Sequence, residues 1–222
     1  MLHGYLSSKE AFNAQIAYFS KFYRVTAIDF LGFGGSMALT KPFSVEDYAD
    51  WTKETLTLLG VRNPHVIAHS FGCRVAVKIA SKDASYFDKM LLTGAAGVIV
   101  KRGFVYHAKV RTYRLFRRIA PRFAERHFGS EEYRSLSPIM KESYKKIVNE
   151  DLRECAREIE NEVLFVEGEG DTVTPISEVN AYLVCLKHGK MVTMAGGHFA
   201  FAEYPTSFNL IAEEFFYGRN IH

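Results

Sequence analysis

Two kinds of hydrophobic pattern alternate along most of this chain. Short runs of apolar and β-branched residues, such as Val66-Ile67-Ala68, are typical of buried strands. Between them lie longer stretches in which apolar residues recur every three or four positions, as in amphipathic helices. The pattern predicts strands over 23–29, 66–69, 89–94, 162–166 and 190–194, and helices over 44–60, 70–82, 177–187 and from 205 onward. This alternation predicts an α/β fold with a mostly parallel sheet covered by helices on both faces.

Helix starts are marked by residues that cap exposed backbone N–H groups. Ser7 with Glu10 and Ser44 with Asp47 both have the spacing of a capping box. The first precedes apolar residues at helical spacing up to Phe19, which predicts an additional helix near the amino terminus.

The alternation stops between residues 98 and 159. This stretch has no convincing strand pattern, so it predicts a helical insertion that forms a cap over the sheet. We therefore divide the chain into a core at 1–97, a cap at 98–159 and a second part of the core at 160–222. The first half of the cap is strongly basic, a pattern most often found on a solvated face. It would also attract an anionic substrate or an anionic membrane surface.

Composition excludes several classes of protein. A chain of 222 residues is expected to form one domain with an insertion, and its net charge of +3 does not suggest a nucleic-acid partner. No apolar run is long enough to span a bilayer, and the amino terminus does not resemble a secretory signal. Cys73, Cys155 and Cys185 are odd in number and widely spaced, which favours free thiols in the cytoplasm and no metal site.

The tight turn in His69-Ser70-Phe71-Gly72 is the strongest chemical signal. It follows a buried strand and opens a helix, so it would raise the hydroxyl of Ser70 above the sheet edge. A serine between a strand and a helix is more often a turn or cap residue than a nucleophile. Catalysis requires a base to accept its proton and a third group to orient that base.

Both partners are available after later strands. Asp171 follows the predicted strand 162–166, and His198 follows the predicted strand 190–194. Because the carboxyl ends of parallel strands meet at one edge, we expect Ser70, Asp171 and His198 to converge there. Taken alone, Asp171 could also be an ordinary turn residue.

An oxyanion hole needs two backbone N–H donors. The residue after the serine, Phe71, is expected to supply one, and Tyr5 in His3-Gly4-Tyr5 is expected to supply the other.

The order serine, aspartate, histidine and the spacing of these motifs resemble the α/β-hydrolase fold family, in its small esterase and lipase-like form. The landmarks are His3-Gly4, the glycine-rich segment from Asp29 to Ser36, His69-Ser70-Phe71-Gly72, Gly168-Glu169-Gly170-Asp171 and Gly197-His198. The resemblance implies a hydrolase with Ser70 as nucleophile, His198 as base and Asp171 as the residue that orients it, under a helical cap.

This sequence departs from the family pattern in two places. The elbow begins with Ala68 where the family usually has glycine, and alanine is small enough for that turn. The family's His-Gly normally follows a strand with further strands before it, whereas only Met1 and Leu2 precede His3. The first strands of the family pattern are therefore expected to be missing, which predicts a gap and unpaired backbone groups beside the strand of the nucleophile.

The resulting hypothesis is a cytoplasmic serine hydrolase that cleaves a carboxylic ester or thioester through an acyl-enzyme, with a small-molecule acyl substrate and no cofactor or metal. Two alternatives stay open. The same site could serve peptide, carbon–carbon bond or lyase chemistry, or the chain could be a non-catalytic binding protein. The glycine-rich segment after Asp29 lacks the dinucleotide spacing and the P-loop lysine, which argues against a nucleotide site.

Overall fold

A computed structural model describes residues 1–99, 133 and 135–218 of the chain. The strands are β1 (Val66–His69), β2 (Lys89–Thr93), β3 (Glu162–Gly168) and β4 (Gly189–Met194). The helices are α1 (Asn13–Phe19), α2 (Val45–Leu58), α3 (Phe71–Lys82), α4 (Pro138–Val148), α5 (Arg153–Arg157), α6 (Ile176–Leu183), α7 (Ala200–Glu203) and α8 (Pro205–Tyr217), with a 3₁₀ turn at Lys9–Phe12.

Within the described residues, the strands form a parallel sheet in the order β1-β2-β3-β4. Ile67 of β1 pairs with Leu91 of β2, and Leu91 pairs with Leu164 of β3. Because all the strands run in one direction, their carboxyl ends lie along one edge. The predicted α/β fold with a parallel sheet between helices is confirmed.

The sheet is buried on both faces because successive side chains of a strand point to opposite sides. Ala68, Leu92 and Phe165 point into one apolar core with α2 and α3. Ile67 and Leu91 point into a second core, which α1 and α8 close. This double burial explains why β1 to β3 are nearly continuous apolar runs.

The strand predicted over 23–29 is wrong. The segment carries only an isolated bridge at Ile28, which pairs with Leu2, and Leu2 pairs in turn with Ala68 of β1. The N–H of Leu2 donates to Ile67 O at 2.9 Å, and Leu2 O accepts from the N–H of His69 at 2.9 Å. Leu2 therefore lies between Ile28 and β1 and pairs with both, and the Met1 amino group donates to Thr26 O at 2.6 Å.

The gap predicted beside the nucleophile strand is present next to the amino-terminal end of β1. A cavity of about 300 Å³ lies between the segment Tyr23–Thr26 and the residues that lead into β1. Phe19, Phe87 and Phe216 contribute to its walls. The backbone of 23–26 therefore lies apart from β1, which explains the absence of a ladder there.

Several predicted element ends are also corrected. The capping box at Ser7 is absent: Ser8 is the N-cap of the 3₁₀ turn, and its side chain makes no capping hydrogen bond to the turn. The helix predicted to reach Lys187 ends at Leu183. The capping box of Ser44 and Asp47 is confirmed at the start of α2.

The described part of the predicted cap consists of α4 and α5, which pack on the core. Arg74 of α3 donates to Ile147 O at 2.9 Å and to Glu150 O at 2.8 Å, which satisfies carbonyl groups at the end of α4. The basic run and most of the cap aromatics fall in residues 100–132, outside the described residues.

Two further sequence expectations concern thiols and membrane spans. Cys73, Cys155 and Cys185 are free thiols, as predicted. Among the residues that the structure describes, no helix is both long and apolar enough to cross a bilayer.

We expect Leu2→Ala to destabilise the protein by about 2–5 kcal/mol, because Leu2 is buried and its truncation leaves a cavity beside β1. Urea unfolding followed by circular dichroism measures the change in the free energy of unfolding. Leu58→Ala is the matched control, since Leu58 is 89% exposed on α2, and its effect should stay within about 0.5 kcal/mol. Equal effects of the two substitutions would contradict the role assigned to Leu2.

Candidate active site

Ser70 lies on a strained turn between β1 and α3. Its backbone has φ 51° and ψ −107°, a conformation that non-glycine residues rarely adopt. The N–H of Ser70 donates to Thr93 O at 3.0 Å, which ties the turn to the end of β2. The side chain thus stands at the carboxyl edge of the sheet.

Close packing behind the turn depends on Gly72. A Cβ atom at this position would overlap the carbonyl oxygen of Leu2. Glycine at this position therefore allows α3 to lie against the amino-terminal segment. Cys73 is fully buried, and its thiol donates to Ala68 O at 3.2 Å, so this part of α3 packs on the sheet.

Asp171 and His198 meet at the same sheet edge. The Oδ2 atom of Asp171 lies 2.8 Å from Nδ1 of His198, and the aspartate side chain is 1% exposed. Since a carboxylate only accepts hydrogen bonds, Nδ1 carries the proton and Nε2 is left as the basic nitrogen. This is the arrangement of an oriented general base.

A set of local donors holds the Asp171 carboxylate. Its Oδ1 atom accepts from the N–H of Val173 at 2.7 Å and of Thr174 at 3.0 Å, and the Thr174 hydroxyl donates to Oδ2 at 2.8 Å. Burial raises the pKa of Asp171, but the bonds from His198 and Thr174 outweigh it and bring the pKa to about 2. Asp171 is therefore ionised at neutral pH.

Thr174 is a site residue that sequence reasoning missed. Its hydroxyl also lies 3.1 Å from His198 Nδ1, so it contacts both members of the pair. Its spacing three residues after Asp171 is the signal that could have indicated it, because aspartate commonly accepts bonds from the turn that follows it.

Two contacts hold His198 against residues that neighbour the elbow. The ring of His69 lies 4.7 Å from the ring of His198, between centroids, and His69 Nε2 donates to His198 O at 2.9 Å. A Cβ on Gly94, directly after Thr93, would lie 2.9 Å from His198 Cε1. The elbow and the histidine thus both contact the end of β2.

His69 is a neutral structural residue in this site. Burial, and then the neighbouring His198, lower the pKa of His69 to about 3. Its ring packs against Phe199 and Phe201 as well as His198.

The amino-terminal loop also lies against the elbow. A Cβ on Gly4 would be 3.5 Å from the Cβ of Ser70 and 2.7 Å from His69 Nδ1, so only glycine fits. His3 Nδ1 donates to Gly4 O at 2.7 Å, and His3 Nε2 accepts from the N–H of Phe30 at 3.1 Å. Buried His3 therefore fixes the orientation of the peptide between Gly4 and Tyr5.

The glycine-rich segment after Asp29 supports this loop. Asp29 accepts from the N–H of Lys9 at 2.7 Å, from Lys9 Nζ at 2.6 Å and from the N–H of Gly35 at 2.9 Å. A side chain at Gly34 would overlap this carboxylate. The segment is thus organised around Asp29.

The chain matches the family model described as alpha/beta hydrolase fold over residues 1–139. It therefore belongs to the α/β-hydrolase fold family.

One curated relative is an (E)-2-((N-methylformamido)methylene)succinate hydrolase of Acinetobacter baylyi, which is 32% identical over 80 residues. That match covers 36% of this chain and 30% of the relative, so the chain spans under a third of the length of the curated relatives it first matches.

Solved hydrolase structures show the same fold over nearly the whole chain. An esterase from Exiguobacterium antarcticum superposes with a TM-score of 0.77 at 19% identity, covering 97% of this chain and 90% of the esterase. A meta-cleavage product hydrolase from Pseudomonas fluorescens has a TM-score of 0.74 at 23% identity, covering 99% and 90%. Similarity at this level of identity establishes the fold alone.

We expect the ionised Asp171 to stabilise the folded protein by about 2 kcal/mol at neutral pH, since its pKa lies near 2 when folded and near 3.8 when unfolded. A lowered folded pKa gives stability that is present above the unfolded pKa and is lost as pH falls through the folded one. Urea unfolding of wild type and Asp171→Asn between pH 6 and pH 2 measures this loss. The free energy of unfolding of Asp171→Asn should therefore fall less than that of wild type over this pH range.

Asp50→Asn, on the exposed face of α2, is the control and should leave the decline unchanged. An identical pH dependence in Asp171→Asn and wild type would contradict the ionised state of Asp171.

Proposed function

We propose that this protein is a serine hydrolase that cleaves a carboxylic ester or thioester through an acyl-enzyme. The observation that carries the proposal is the 2.8 Å contact between Asp171 and His198 Nδ1, at the sheet edge where Ser70 occupies a strained elbow. A serine needs an oriented base to become a nucleophile, and these residues supply one.

In the proposed reaction, Ser70 Oγ attacks the carbonyl carbon of the substrate and His198 Nε2 accepts its proton. The tetrahedral intermediate then expels the alcohol or thiol, which takes that proton from His198. Water attacks the acyl-enzyme with the same base, and the acid is released. Asp171 keeps the proton of the neutral imidazole on Nδ1 and stabilises the imidazolium that forms.

Two backbone N–H groups are proposed to bind the oxyanion. Phe71 is the first residue of α3, so its N–H has no acceptor within the helix. His3 holds the carbonyl of Gly4, and in a trans peptide the N–H of Tyr5 must point the opposite way. Since Gly4 lies against Ser70, this orientation supports Tyr5 as the second donor.

An aromatic cluster beside the elbow supports the position of the Tyr5 loop. The ring of Tyr5 contacts Phe33, Phe71 and Tyr144, with centroids 4.8, 5.6 and 5.2 Å away. The Tyr5 hydroxyl donates to Met140 O at 3.0 Å and joins this cluster to α4. These contacts hold Tyr5, whose N–H is the proposed second oxyanion donor, against α3 and α4.

We expect a fluorophosphonate probe to label the wild-type protein. Ser70 Oγ forms a bond to phosphorus, fluoride leaves, and His198 accepts the proton. Ser70→Ala should abolish the label and lower esterase activity by at least about 10³-fold, because the nucleophile is lost. Ser81→Ala, at the far end of α3, should keep both. An intact fold that takes no label would contradict the proposal and favour a binding protein.

Substrate class is tested with short-chain p-nitrophenyl esters and an acyl thioester, followed by release of nitrophenol or thiol. We expect turnover of at least one class by wild type and Ser81→Ala but not by Ser70→Ala. Labelling of Ser70 without turnover of either class would contradict ester and thioester hydrolysis. It would favour peptide, carbon–carbon bond or lyase chemistry, which the same three residues can support.

Cytoplasmic location and attraction of the basic cap to an anionic partner remain predictions from sequence alone. Fractionation of cells that produce the full chain would test the first. Binding to anionic and neutral vesicles would test the second, with preference for anionic vesicles expected.

A further inference from the structure

A carboxyl group that the proposed reaction does not use is buried beside the site. Glu167 lies near the end of β3 and is completely inaccessible to solvent. Its Oε1 atom accepts from the N–H of Ala95 at 3.2 Å, whereas Oε2 has no hydrogen-bond partner among the described residues. Ionising a carboxyl group at this buried position would cost free energy, because the unpaired oxygen loses its hydration and gains no hydrogen bond in return.

The groups around Glu167 favour its neutral form. Burial, together with the negative charge of Asp171, raises its pKa to about 8, despite the N–H groups of Ala95 and Gly94. From α3 it faces Cys73, whose own pKa is raised by burial, so that the thiol stays neutral. Glu167 is therefore a protonated acid at neutral pH.

The turn that Glu167 holds is the support of the His198 ring. Gly94 has φ +53°, and a Cβ there would lie 2.9 Å from Cε1 and 3.0 Å from Nδ1 of His198. Thr93, one residue earlier, accepts the N–H of Ser70 at 3.0 Å. A shift of this turn would therefore move the base and the nucleophile relative to each other.

We propose that Glu167 is a positioning residue, which as a neutral acid holds the Gly94–Ala95 turn against His198. The inference rests on the proposed role of His198 as base. Ionisation of Glu167 would leave a buried charge with one unpaired oxygen, which favours a rearrangement that lets water reach it and so moves the turn away from His198. Activity should therefore fall as pH rises through about 8.

The test compares two substitutions of similar size. Glu167→Met removes the acceptor for the N–H of Ala95, and we expect kcat to fall about tenfold or more with KM unchanged, since a misplaced base slows only the chemical step. Glu167→Gln keeps an acceptor and never ionises. It should recover most of the lost kcat and should lack the decline above pH 8. Glu162→Gln, at the exposed start of β3, is the control and should match wild type.

A kcat for folded Glu167→Met equal to that of wild type would overturn the proposal. So would an alkaline decline that is the same in Glu167→Gln and wild type. Circular dichroism establishes that each variant is folded before its kinetics are compared.

A readout without substrate separates this inference from the proposed function. Infrared spectra of wild type at pH 7 should contain the C=O stretch of a protonated carboxylic acid, which disappears above pH 8 and is absent in Glu167→Gln. Absence of that band at pH 7 overturns the inference even if Ser70 proves to be the nucleophile. If wild type neither takes the fluorophosphonate label nor hydrolyses esters, the proposed function fails. In that case the infrared band still tests whether Glu167 is protonated. The NMR signal of His198 Nδ1–H, compared between wild type and the Glu167 variants, tests whether Glu167 positions His198.

Discussion

The close contact between the amino-terminal segment and the serine elbow is the constraint on which the rest of the site depends. Gly72 leaves no space for a side chain because the carbonyl of Leu2 occupies that position. The backbone of Leu2 is held by Ile67 and His69, and Gly4 then lies directly against the elbow. One short segment therefore completes the sheet edge beside β1 and brings the Gly4–Tyr5 peptide to the candidate nucleophile.

His198 depends on a comparable set of contacts from separate loops. Asp171 binds its Nδ1, Gly94 supports its ring, and His69 binds its backbone carbonyl. Each of these residues follows or ends a different parallel strand. The common direction of the strands is thus the reason that residues far apart in sequence can hold one imidazole ring.

The elements of the sheet were largely predictable because a parallel strand covered on both faces must be apolar along its whole length. The segment 23–29 has the same β-branched composition, yet it forms no strand. A ladder requires a partner at hydrogen-bond distance, and here only Leu2 reaches Ile28, while a cavity separates the remainder from β1. The residue pattern of a segment indicates that it can form a strand. It does not indicate whether another strand lies close enough to pair with it.

Local signals in the sequence, such as turn chemistry and strand ends, were enough to predict the order of most elements, the turn at Ser70 and the candidate pair Asp171 and His198. The other groups that contact this pair become visible only in the folded chain. Thr174 lies within bonding distance of the pair, and Glu167 is buried, partly unpaired and in contact with the turn beneath His198. The protonation state of a carboxyl group depends on burial and on neighbouring charges, and both are properties of the folded chain.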